Sequence, residues 1–174
     1  MKRYILILLM IAIGVNLIFS FSDASENHLS SIETILNNYK KQIVNLDDLD
    51  QDAREYFINH ERSKRPGVVV ADFNGDGSED VAILTKGALL IFMCNKSCRE
   101  VKTISYGGFT GIQYVIPASK GELIEETDAM PSKSAPVKVR LKNVGVHLDH
   151  YGKGIIVYYW DEQKNDFIGI NTIE

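Results

Sequence analysis

The chain has 174 residues, 45% of them hydrophobic and 24% charged, with 19 Lys and Arg against 23 Asp and Glu. That composition suits a water-soluble domain with one core, and argues against a disordered tail, a polytopic membrane protein or a large multidomain enzyme. A formal charge of −4 exerts no overall pull on nucleic acid, and no long Lys/Arg run supplies a local one.

Lys2 and Arg3 precede a run from Tyr4 to Phe21 that is apolar except for Gly14, Asn16 and Ser20. A basic start, an apolar stretch and then small residues is the plan of a secretory signal, and Ser22 and Ala24 fit cleavage after Ala24. The alternative is an uncleaved N-terminal membrane anchor, since the run approaches the roughly 18–20 residues that span a bilayer. Without residues 1–24 the chain loses Lys2, Arg3 and Asp23, leaving residues 25–174 as a mildly acidic exported domain, periplasmic or secreted.

From about Leu29 to Asn59 the pattern is helical. Ile32, Ile35, Leu36, Tyr39 and Ile43 recur on one face, with Ser30 or Ser31 placed to cap it. Asn45 interrupts, and Asp47 or Asp48 is placed to cap a second short helix through Ala53, Tyr56 and Phe57. Pro66 and Gly67 end the helical region.

Beyond Pro66 the period becomes two. Strands are expected at 68–72, 81–85, 88–94, 100–106, 112–116, 123–128, 137–141, 144–150, 155–161 and 166–172, parted by Gly, Asn, Asp and Ser clusters. The short spacings predict antiparallel meanders, with hairpin turns at 86–87, 151–154 and 162–165. The expected class is α+β: short N-terminal helices packed on an antiparallel meandering β-sheet.

Cys94 and Cys98 stand in Cys-Asn-Lys-Ser-Cys between two expected strands. A three-residue loop would set them opposite each other at a hairpin's base, within reach of a disulfide. Closing so small a loop contributes about 2 kcal/mol at most. The spacing is not the redox Cys-x-x-Cys, and no His or second Cys pair flanks it for zinc. Free thiols are the alternative.

Residues 72–80 read Asp-Phe-Asn-Gly-Asp-Gly-Ser-Glu-Asp. Oxygen-bearing side chains alternate at Asp72, Asn74, Asp76 and Asp80; Gly77 allows the sharp turn, and the Ser78 carbonyl can add a backbone oxygen. A loop curling round a hard cation needs that alternation, and Ca²⁺ suits it better than Mg²⁺. The first nine positions match an EF-hand loop, but the twelfth is Ile83 rather than a bidentate Glu, and the flanks Val68–Ala71 and Val81–Leu84 are strand-like. A metal-free turn is the alternative, because Asp, Asn and Gly suit Asx turns and positive φ. Without the twelfth ligand, Ca²⁺ affinity is expected to be weak, about 10⁻⁴–10⁻³ M.

This strand–loop–strand resembles the calcium loop of the FG-GAP and VCBS repeat families, Asp-x-Asn-Gly-Asp-Gly-x-x-Asp before an apolar strand. The resemblance covers about Val68 to Leu84 and implies Asp72, Asn74, Asp76, Ser78 and Asp80 as calcium ligands in a hairpin spanning 68–85. It does not carry the propeller of those families, which needs at least four blades of about 40–45 residues. The rest of the chain is similar to small exported bacterial proteins of uncharacterised activity, through Pro66–Gly67, Tyr-Gly-Lys-Gly at 151–154 and Val-Tyr-Tyr-Trp at 157–160.

His147 and His150 are expected on opposite strand faces, with His28 and His60 apart from them, so no catalytic or zinc set emerges. The acidic run Glu122, Glu125, Glu126 and Asp128 reads as a solvated face, with a second cation site or an acid/base pair as the alternative. Tyr158, Tyr159 and Trp160 read as sheet packing, or as a stacking surface for sugar or peptide. Arg62, Lys64 and Arg65 read as a solvated connector. The function expected is an exported, non-enzymatic calcium-binding module, structural or recognising a protein or cell-surface partner. An inhibitor of a cell-envelope enzyme, or a secreted hydrolase using Glu125 or Trp160, is the alternative.

Overall fold

A computed structural model describes residues 31–61, 65–127 and 137–172. The expected signal stretch 1–24, His28, Arg62, Lys64 and Asp128 lie outside them. The protein is α+β, with every strand pairing antiparallel.

Helix α1 covers 31–39 of the described residues. Its apolar stripe, Ile32, Ile35, Leu36 and Tyr39, packs on a sheet, with the Tyr39 and Phe92 rings 5.7 Å apart. Ile43 was expected on the same helical face. Instead the helix has ended and Ile43 bridges to Thr85, while the Val44 N–H donates to the Leu84 carbonyl at 2.9 Å. Asn45 caps a 3₁₀ turn, Leu46–Asp48. The cap of helix α2 (Gln51–His60) is Asp50, not Asp47 or Asp48; its carboxylate accepts the Ala53 N–H at 2.9 Å. The 3₁₀ turn uses up the two aspartates upstream and shifts the start of α2.

The strands are β1 (Val68–Ala71), β2 (Asp80–Leu84), β3 (Ala88–Cys94), β4 (Cys98–Ser105), β5 (Gln113–Ala118), β6 (Leu123–Glu125), β7 (Lys138–Arg140), β8 (Gly145–His150), β9 (Gly154–Asp161) and β10 (Asp166–Thr172). They divide into a sheet ordered β1-β2-β3-β4, a second ordered β10-β9-β8-β5, and a separate β6-β7 pair. All three expected hairpin turns are present.

The burial of β2 explains the unbroken apolar run in the sequence. A strand covered on both faces has no polar side to show. Ala82 and Leu84 face a core shared with the second sheet, where Leu89, Ile91, Val115, Leu148 and Phe167 join them. Val81 and Ile83 face α1. Helix α2 sends Ala53 and Phe57 into the shared core, where the Phe57 ring meets Tyr114 edge-on at 5.2 Å. The Tyr114 hydroxyl, buried there, donates to Asp149 at 2.9 Å. On the far face of the second sheet, Ile124 and Leu141 cover Val157 and Ile170. The two sheets are also joined where the Val115 N–H donates to the Pro66 carbonyl at 2.7 Å and where Lys102 pairs with Asp166 at 2.6 Å.

Cys94 and Cys98 are disulfide-bonded, and they face each other as the last pair of the β3–β4 ladder. Their Cα atoms are 4.0 Å apart. Among the described residues no helix is long and apolar enough to cross a membrane.

Candidate metal centre

The β1–β2 hairpin closes through the acidic loop. Ala71 and Asp80 are its last paired residues. Phe73 then anchors the loop by turning inward: it is fully buried and meets the Phe167 ring edge-on at 6.0 Å. With Phe73 inside, Asn74 is half-buried and Asp76 exposed.

Side-chain oxygens fold the loop around themselves. The Asp72 carboxylate accepts three backbone N–H groups, from Gly75 at 2.7 Å, Asp76 at 3.1 Å and Gly77 at 2.9 Å. That curl puts Gly75 at φ +80 and Gly77 at φ +87, a left-handed conformation that glycine adopts without steric cost. The Asn74 carbonyl oxygen accepts the Asp76 N–H at 2.9 Å, and its amide donates to Asp76 Oδ2 at 3.1 Å. Asp76 Oδ1 accepts the Ser78 N–H at 2.8 Å. Burial works against the Asp76 carboxylate. Hydrogen bonds from Ser78, Asn74 and Asn95 nevertheless hold it below its ordinary pKa.

Asp80 is placed differently. It is fully buried, with Oδ2 accepting the Phe73 N–H at 3.0 Å and Oδ1 the Cys94 N–H at 2.8 Å. Burial pushes its carboxyl up to about 6 against the pull of those two N–H groups, and the charges of Asp76 and Asp72 push in the same direction. Among the described residues no lysine or arginine pairs with Asp72, Asp76 or Asp80.

Asp72, Asn74 and Asp76 thus form one hydrogen-bonded set, Ser78 joins it through its N–H, and Asp80 lies beneath it. No three His, Cys, Asp or Glu side chains among the described residues are gathered as a ligand cage. The donors are carboxylate, amide and carbonyl oxygens, the chemistry hard divalent cations take.

Beside the loop lies a cleft of about 490 Å³, lined by Asn74 and Asp76, by the disulfide-closed turn, and by Trp160 and Asn165 of the β9–β10 hairpin. Sequence reasoning singled out the loop and the disulfide separately and did not place them side by side. The only signal was Asp80 opening an otherwise apolar strand, and its Cys94 partner stands fourteen residues away.

The other residues weighed in the sequence have ordinary surroundings. His147 meets Glu122 at 3.1 Å, Glu125 pairs with Lys138 at 2.7 Å, and Glu126 accepts the Val137 N–H. Tyr158 and Trp160 pack toward the shared core, and Tyr159 toward the opposite face of its sheet.

Comparison with protein-family models, with curated proteins and with solved structures finds no match to this chain.

Proposed function

We propose that the chain is an exported, non-enzymatic calcium-binding module, in which the ion stiffens the 72–80 loop for stability or for recognition of a partner. The observation that carries this reading is the gathering of three carboxylates at one loop: Asp72 and Asp76 belong to one hydrogen-bonded set, and the buried Asp80 accepts the Phe73 N–H of the same loop. Asp80 is buried, and its carboxyl is raised first by that burial and then by the charges of Asp76 and Asp72. No described basic side chain offsets the three carboxylates. A divalent cation would relieve that repulsion.

Asp72, Asn74, Asp76 and Asp80 would supply side-chain oxygens and Ser78 its carbonyl. The strand–loop–strand setting and the two left-handed glycines support the likeness to the FG-GAP and VCBS loop. Export rests on the basic and apolar start of the sequence.

Affinity in the range of about 10⁻⁴–10⁻³ M suits an extracellular module. At tenfold excess over Kd the ion would stabilise the fold by about 1.4 kcal/mol, which raises Tm by about 3–6 °C in a domain of this size. The test is thermal melting with calcium and with chelator, for the wild type and for Asp76→Ala. Calcium should raise the wild-type Tm and leave the variant unmoved. Identical melting in all four samples overturns the assignment.

A further inference from the structure

We infer that the cleft beside the acidic loop binds a saccharide carrying a carboxylate. Three separate elements build it: the loop through Asp76, the β3–β4 hairpin through Asn95 and Lys96 of its turn and Arg99 of β4, and the β9–β10 hairpin through Trp160 and Asn165. Its volume of about 490 Å³ falls in the range of roughly 300–1,000 Å³ typical of small-molecule sites.

The lining selects the ligand. Side-chain amides both donate and accept, which is what a ring of hydroxyls requires, and Asn95 and Asn165 bring one each from two different hairpins. Trp160 adds aromatic surface for the apolar face of a sugar ring, and its own ring is steadied against Phe167 at 5.4 Å. Lys96 and Arg99 form no ion pair with any described residue, so the cleft holds two cationic groups without an ion-pair partner against the single carboxylate of Asp76. A carboxylate on the ligand would supply one, with Arg able to bind it through two parallel hydrogen bonds.

The walls are held before any ligand arrives. The disulfide fixes the base of the Asn95–Ser97 turn. The Asp80 carboxylate accepts both the Cys94 N–H and the Phe73 N–H, which ties the end of β3 to the floor of the acidic loop. Asn165 sits at φ +50, the one non-glycine with positive φ among the described residues. A ligand therefore meets a backbone already fixed, and the ordering that remains is that of the exposed Lys96 and Arg99 side chains. Cys94 of that disulfide lines the cleft, which gives the bond a use beyond stability.

This inference rests on the recognition reading above, but not on the ion. Titration calorimetry on the chain, in calcium and in chelator, tests it with trigalacturonate, sialyllactose and an N-acetylmuramyl disaccharide. Cellotriose serves as the neutral control and tetraglutamate as the acidic peptide. At least one carboxylated saccharide should bind, Arg99→Gln should weaken it about tenfold, and Trp160→Ala should abolish it. The exposed substitution Lys96→Gln should weaken binding without moving Tm, which separates lost contacts from lost fold. Binding by none of the three, equal binding of cellotriose, binding of tetraglutamate alone, or affinity unmoved by Arg99→Gln and Lys96→Gln overturns the proposal. Saccharide binding with no calcium effect on melting would leave this inference standing and remove the calcium assignment.

Discussion

The Asp80 carboxylate accepts the backbone N–H of Cys94, fourteen residues further along the chain, at 2.8 Å, and with its other oxygen the N–H of Phe73 at 3.0 Å. One buried side chain thereby fixes the start of the acidic loop against the end of β3. Asp80→Ala leaves two buried donors without an acceptor, at about 1–3 kcal/mol each, partly offset by removal of a buried charge. The expected net loss is about 2–3 kcal/mol, measured by urea unfolding at neutral pH in chelator. An unchanged midpoint would contradict the tie.

The same residue makes stability depend on pH. Burial, reinforced by Asp76 and Asp72, raises the Asp80 carboxyl from 3.8 to about 6, so folding favours its protonated form. Its contribution is full below about pH 3.8 and is lost as the pH rises through about 6. At 1.36 kcal/mol per unit, that difference is about 3 kcal/mol. Burial and Lys153 lower the pKa of His150 from 6.5, so its contribution is lost as pH falls through its folded value, opposing Asp80 in part of the window. Subtracting the profile of Asp80→Asn cancels that opposing effect. The wild type should lose about 2 kcal/mol relative to the variant between pH 4 and 7 without calcium, most of the full difference, and a flat difference would exclude the shift.

Removing the disulfide should be mild. The Cys94–Cys98 bond closes a loop so short that chain entropy assigns it about 2 kcal/mol. The β3–β4 ladder already runs from Ala88↔Ser105 to Cys94↔Cys98, so the register survives reduction. Replacing both cysteines by serine should lower Tm by about 4–8 °C with the far-UV circular dichroism unchanged. Global unfolding on reduction would show that the bond holds more than its own turn.

The strands were legible because their information is local. Apolar runs or alternation between turn residues marked all ten, and Cys-Asn-Lys-Ser-Cys marked its own hairpin. The division into two sheets was not legible, because the Val115–Pro66 bond and the Lys102–Asp166 pair join segments far apart in sequence. The cap of α2 was read two or three residues early because Asp47, Asp48 and Asp50 are equivalent as cap chemistry, and only the 3₁₀ turn distinguishes them. At the candidate site, the Asp/Asn/Gly alternation revealed the loop, while the inward placement of Asp80 depends on the Cys94 N–H, which no spacing rule encodes.

Gly67 shows the same gap between local and long-range information, and it gives the sharpest contrast. In the sequence, Pro66–Gly67 reads as a helix terminator. In the fold, a Cβ on Gly67 would stand 2.3 Å from the Val44 carbonyl oxygen and 2.9 Å from the Val44 nitrogen. These are backbone atoms, and the segment cannot withdraw freely, because the Val44 N–H is bonded to the Leu84 carbonyl and the Leu84 N–H to the Gly67 carbonyl, each at 2.9 Å. Gly67→Ala must part these segments or break one of those bonds, and should cost about 3 kcal/mol or more. Gly87 has nothing within 4 Å of the same added atom, so Gly87→Ala should stay within about 0.5 kcal/mol of wild type. Urea unfolding of both variants decides it: equal effects would mean that the close approach of Gly67 to Val44 does not constrain the fold.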